Sequence, residues 1–143
     1  GAPGVYSARY SGEPCDDKRN NKKLLDVLGD LEPEKRTAHF VSVVSIVFPK
    51  NSPYYNFDAT KLKNSTLIEA EDKSYRGFST RGECPGHILF EERGNGGFGY
   101  DPLFLCDAYN KTFAELNGEE KNKVSHRGNA MRKFAEDFAE ILR

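Results

Sequence analysis

A chain of 143 residues, 37% hydrophobic and 30% charged, can bury a real core, which excludes a disordered segment and fits a single domain, residues 1–143. A formal charge of −1 excludes a global basic field, so no nucleic-acid partner is expected and an anionic ligand needs local donors. No apolar run is long enough to span a membrane, and GAPGVYSARY reads as neither a signal nor a transit peptide. Cys15, Cys84 and Cys106 form no CxxC pair and no disulfide framework, which suits a cytoplasmic setting.

In chain order, Asp16 or Asp17 can cap a helix carrying Leu24, Leu25, Val27 and Leu28 on one side and ending near Gly29. Pro33 closes the next turn. HFVSVVSIVF (39–48) is rich in β-branched residues and apolar on both faces, which predicts a central strand buried on both sides. Residues 49–64 read as a loop or an insertion. TLIEAE (66–71) and SYRGFST (74–80) flank an Asp72-Lys73 corner and predict a hairpin. GHILFEE (86–92) and PLFLC (102–106) predict two further short strands. The tail is the clearest helix, with Ser125 as N-cap and Met131, Phe134, Phe138, Ile141 and Leu142 on one face. The class is mixed α and β.

Two stretches carry chemistry. Gly94-Asn95-Gly96-Gly97-Phe98-Gly99 satisfies G-x-G-x-x-G, but Tyr-Asp-Pro follows where a dinucleotide fold needs a helix. No Walker lysine follows either, so a phosphate cradle is excluded on context. A plain turn between strands accounts for the glycines but not for Phe98 and Tyr100 among them. Glycines admit close approach, an aromatic ring on such a loop offers a face to a flat heterocycle, and Asp101 adds an acceptor for a ring N–H. Downstream, His126 and Arg127 stand at a helix start, where backbone N–H groups favour acceptors, and Lys121 precedes them. Taken singly, each of these is an ordinary surface residue.

With these motifs the chain resembles the inosine/xanthosine triphosphate pyrophosphatases, which cleanse the nucleotide pool. GAPGVYSARYSGE (1–13), GGFGYDPLF (96–104), KTFAEL (111–116) and EEKNKVSHRG (119–128) follow the family's motifs in the family's order. The resemblance implies an elongated α/β fold with a long curved mixed sheet flanked by helices, a homodimer, and hydrolysis of ITP, dITP and XTP to monophosphate and pyrophosphate. It also implies that Phe98, Gly99, Tyr100 and Asp101 line the purine pocket, with Phe98 stacking on the base. Lys121 would bind substrate, and His126 and Arg127 would donate to the 6-keto oxygen. Such donors accept hypoxanthine and xanthine but meet an amino group on adenine. Guanine must be excluded at its 2-amino group, by a residue the sequence does not identify.

The family carries a segment before its GAPG motif, with a triphosphate loop and the acids that hold Mg²⁺ and activate water. This chain begins at Gly1 of GAPG, so it reads as the C-terminal portion of such an enzyme, with its catalytic residues and metal ligands expected elsewhere. Asp16-Asp17 and Glu119-Glu120 read as helix-start features. Without that segment, exposed apolar surface and self-association are expected. Two other readings stay open: a non-catalytic purine-nucleotide-binding relative, and a structural or interaction fragment that keeps the motifs only as packing.

Overall fold

The computed structural model describes residues 1–143. In chain order the elements are α1 (Asp17–Leu28), β1 (Thr37–Pro49), β2 (Ser65–Glu69), β3 (Tyr75–Ile88), β4 (Phe104–Cys106), β5 (Lys111–Thr112), α2 (Gly118–Val124) and α3 (His126–Ile141). The strands pair in the order β1-β3-β4-β5, with β2 also on β3, and the β2–β3, β3–β4 and β4–β5 pairs are antiparallel. This is the mixed α and β class that the sequence predicts. The chain divides into two compact units, one of Gly1–His39 with Pro85–Lys121 and one of Phe40–Cys84 with Asn122–Arg143. Each is described in turn.

In the first unit, Asp16 caps α1 by accepting the Arg19 N–H at 3.0 Å, and Gly29 ends it at φ +50°. Both ends fall where the sequence places them. The inner face differs: Asn20 and Asn21 are buried, Leu24, Leu25 and Leu28 are half-buried, and Val27 faces solvent. Leu103, Phe104, Cys106 and Phe113 form the centre of this unit, with the Phe104 and Phe113 rings edge to face at 5.1 Å. Arg36 is buried beside them. Its guanidinium donates to the carbonyls of Ile88 (2.8 Å), Leu89 (3.0 Å) and Gly29 (3.2 Å), and it lies 4.0 Å from the centre of the Phe90 ring. A buried cation is tolerable only when its donors are spent in this way.

In the second unit, β2 and β3 form the expected hairpin, with Ser65 opposite Thr80 and Glu69 opposite Arg76. Lys73 takes φ +63° at the corner, where its N–H donates to the Ala70 carbonyl. The core is a run of rings: Phe48 on Phe57, Phe57 on Phe78, Phe78 on Phe134 and Phe134 on Phe138, with Ile46, Leu62 and Ile141 packed around them. Residues 49–64 are therefore no free loop. They deliver Phe57 to the core, and Arg76 fixes them by donating to the carbonyls of Tyr55 (3.0 Å) and Phe57 (2.6 Å).

Three expectations are corrected. β1 stands at the end of the strand order and alternates strictly, with Val41, Val43 and Val47 exposed and Phe40, Val44 and Ile46 half-buried. Its β-branched composition suits any pleated surface and does not report whether both faces are covered. Residues 86–88 are not a separate strand but the end of β3, which runs unbroken for 14 residues. On α3 the inward residues are Ala130, Phe134, Asp137, Phe138 and Ile141, while Met131 and Leu142 are exposed. The helix turns a carboxylate inward where the apolar pattern suggests methionine.

That carboxylate, Asp137, accepts the backbone N–H groups of Lys63 and Asn64 (both 3.0 Å), the Asn64 amide (3.2 Å) and the Ser65 hydroxyl (2.5 Å). Burial alone would push it up, but the Ser65 hydroxyl and the amides of Lys63 and Asn64 hold it below its ordinary value. A depressed carboxyl stabilises the fold above the unfolded pKa and loses that contribution as pH falls through the folded one. Asp137→Asn is therefore expected to cost roughly 2–3 kcal/mol at neutral pH. Urea denaturation at pH 7 and pH 3 should show the gap to wild type narrowing in acid; a constant gap would exclude the ionised form as the source.

Candidate functional site

The glycine loop in the first unit is organised around one buried carboxylate. Asp101 is 5% exposed, and its Oδ2 accepts the Phe98 N–H at 3.1 Å and the Lys121 ammonium at 2.9 Å. Gly97, at φ +74°, must be glycine twice over: a Cβ there would sit 2.2 Å from Asp101 Oδ2. The loop is also stitched to itself and to the segment that follows β5. Gly96 N–H donates to the Ala114 carbonyl at 3.2 Å, Ala114 N–H to the Asp101 carbonyl at 3.2 Å, and Arg93 N–H to the Pro102 carbonyl at 2.9 Å. Tyr100 donates its hydroxyl to the Ser7 carbonyl at 2.6 Å, and burial, with Tyr10 and Asp17 nearby, pushes it up to about 12. It stays a neutral donor at any physiological pH.

Lys121 is delivered by a helix. α2 begins with a reciprocal capping box: Glu120 N–H donates to Asn117 Oδ1 at 2.8 Å, and Asn117 N–H donates to Glu120 Oε1 at 3.1 Å. One residue on, Lys121 reaches Asp101, with its Nζ 5.8 Å from the centre of the Phe98 ring and 5.5 Å from that of Phe113. Phe98 itself is 62% exposed. The result is an aromatic face open to solvent, on a backbone tied at Gly96, Phe98 and Gly99, with a cation at its edge.

Phe98, Gly99, Tyr100, Asp101 and Lys121 are thus brought together in the first unit. His126 and Arg127 belong to the second. There Ser125 caps α3 by accepting the Gly128 N–H at 3.0 Å, which uses one of the donors that a helix start offers. The His126 ring stacks on Phe40 with centroids 4.9 Å apart, and Arg127 is exposed beside it. Gly82 allows this helix close to β3, since a Cβ there would lie 2.3 Å from the His126 carbonyl.

Several residues of the site escape a reading by motif. Asp17 accepts the Gly99 N–H at 2.9 Å, and Asn21 donates to the Gly99 carbonyl at 3.1 Å. Asn20 accepts the Ser11 N–H at 2.8 Å and donates to the Ala8 carbonyl at 2.8 Å. A signal was present: Asn20-Asn21 stand four residues before Leu24-Leu25, on the face that the helix turns inward. The acidic pairs do not fit magnesium. Asp16 caps α1, Asp17 holds Gly99, and Glu120 holds Asn117 and the Lys111 ammonium at 3.1 Å. Nowhere among the described residues do three His, Cys, Asp or Glu side chains cluster as a metal site requires. No helix is long and apolar enough to cross a membrane.

Comparison with known proteins sets these features in context. The model of the Ham1 family matches residues 1–137. A protein of Desulforamulus reducens named dITP/XTP pyrophosphatase is 46% identical over 136 residues, which cover 95% of this chain and 56% of that protein. One of the same name from Clostridium perfringens is 42% identical over 143 residues, 100% of this chain and 58% of that protein. The structure of the Staphylococcus aureus Ham1 protein aligns with a TM-score of 0.72 at 34% identity, covering 100% of this chain and 60% of that one. The chain therefore spans somewhat over half the length of these relatives. By the extent of the family match, with its glycine loop and lysine inside the matched region, the chain belongs to the Ham1 family.

Proposed function

We propose that this chain is the base-recognising portion of an enzyme that hydrolyses non-standard purine nucleoside triphosphates, ITP, dITP and XTP, to monophosphate and pyrophosphate. The observation that carries the reading is the exposed Phe98 ring on a loop braced by Asp101 and Lys121. A ring held in this way can stack on a purine without ordering the loop at the moment of binding, which saves conformational entropy. The dITP/XTP pyrophosphatase names of the relatives support the substrate class.

In this reading Phe98 stacks on the base, and Gly99, Tyr100 and Asp101 shape the wall behind it. Lys121 pairs with Asp101 and turns its remaining N–H groups toward substrate. His126 and Arg127 donate to the 6-keto oxygen, so that adenine, with an amino group there, leaves these donors unmatched. Cleavage of the anhydride, with the Mg²⁺ that the family resemblance implies, is assigned to residues outside this chain. A homodimer in the cytoplasm completes the proposal. The spent carboxylates favour one second reading, a purine-nucleotide binder without hydrolytic activity of its own.

Pyrophosphate release from ITP, with ATP and GTP as controls, separates the two. Selective release from ITP by this chain with Mg²⁺ would place the chemistry within it and overturn the assignment of cleavage elsewhere. ITP binding without release is the expected outcome. Stacking and hydrogen bonding are separable by mutation. Phe98→Ala should weaken ITP and ATP alike, by about 1–3 kcal/mol per base. Arg127→Ala should weaken ITP by about 1–3 kcal/mol and narrow its advantage over ATP. Equal losses for both nucleotides in the arginine variant would move Arg127 from the base to phosphate or ribose.

A further inference from the structure

We propose that Asn21, backed by Asp17, is the positioning residue of the aromatic platform, through which α1 sets where the Phe98 ring stands. The inference rests on the purine-binding reading above and names a determinant of affinity that no motif contains.

The geometry is specific to one residue. Gly99 follows Phe98 directly, has φ +59°, and has open space where a Cβ would project. Its backbone is held by hydrogen bonds from one helix. Asp17 Oδ2 takes its N–H at 2.9 Å, and Asn21 Nδ2 donates to its carbonyl at 3.1 Å. Both residues lie on α1, one turn apart, so a single rigid element grips both polar ends of the residue. Phe98 is 62% exposed, and its ring projects from the backbone that these two bonds hold.

The chemistry of Asn21 argues that holding is its purpose. Nδ2 has two acceptors, Gly99 O and Glu92 Oε1, both at 3.1 Å, which fixes the orientation of the amide. Oδ1 is then left buried with no hydrogen-bond partner, in a residue only 4% exposed. An apolar side chain of similar volume would bury as well and leave no orphan acceptor, so stability alone does not favour asparagine here. The adjacent Asn20 does comparable work in the other direction, tying Ala8 and Ser11 to the same helix. Tyr100, bonded to Ser7, joins that segment to the loop a second time.

The test uses Asn21→Leu, which keeps burial and removes the donors, and Asp17→Ala, which removes the other grip at an exposed position. Three quantities are measured on this chain: thermal midpoint, amide hydrogen exchange, and ITP binding by calorimetry. Leu25→Ala, on the same helix, serves as a general destabiliser. The expected result for Asn21→Leu is an unchanged or higher midpoint, faster exchange confined to residues 96–101, and about tenfold weaker ITP binding. Asp17→Ala should loosen the same residues, and Leu25→Ala should not do so selectively. Unchanged ITP affinity with unchanged exchange at 96–101 in both variants would overturn the inference. So would exchange that rises throughout the unit along with a lower midpoint, since asparagine would then be structural only. If wild type binds no ITP, the purine reading fails and this inference fails with it, an outcome distinct from wild-type binding that the variants leave intact.

Discussion

The buried carboxylate of Asp101 is the constraint on which the candidate site depends. A carboxylate at 5% exposure needs partners, and it has two on one oxygen: a backbone N–H from the loop it supports and the ammonium of Lys121. Much of the local sequence follows from that. Gly97 has no side chain because the carboxylate occupies the space. α2 starts where it does, with the Asn117–Glu120 capping box, because a helix fixes the direction from which a lysine arrives better than a turn can. The pair leaves Phe98 outward as a consequence, for its N–H is drawn in while its ring remains in solvent.

The same device recurs away from the loop. Arg36 spends its guanidinium on the carbonyls of Gly29, Ile88 and Leu89, and Asp137 spends its carboxylate on the amides of Lys63 and Asn64. Asn20 and Asn21 treat two further segments likewise. Irregular backbone cannot satisfy all its own polar groups, so segments that must be held in place take buried polar side chains, Asp137 from α3 and Asn20 and Asn21 from α1 among them. The ring-on-ring core around Phe57 and Phe78 supplies non-directional burial in the second unit, and the polar ties supply geometry.

Motifs made the candidate site legible in part. Phe98, Gly99, Tyr100, Asp101 and Lys121 are recognisable because the stretches that contain them are long and specific, and the structure gathers these five in one unit. Asn21 was legible only as a residue on the inward face of α1, four positions before Leu25, and Asp17 only as a helix-start acid; that both grip Gly99 was not legible, since neither pattern names a partner 78 or more positions away. Asp101 is the instructive middle case. Its type and position suggest an acceptor for a ligand, and its geometry adds a second task, since Oδ2 braces the loop.

The sequence by itself determined what depends on neighbours along the chain. Asp16 and Gly29 bound α1, Asp72-Lys73 turns the hairpin, Ser125 starts α3, and the glycine-aromatic stretch forms a loop and not a helix start. These are matters of capping, φ and proline geometry, and they act over a few residues. Tertiary structure alone decided what depends on distant partners. It exposed one face of β1, ran residues 75–88 as one strand, turned Asp137 inward and Met131 outward, and set Asn21 against Gly99 across 78 positions. The physical reason is common to all four. Burial and hydrogen-bond partnership are properties of what lies opposite a residue in space, and a one-dimensional pattern records only which residues could accept such a partner.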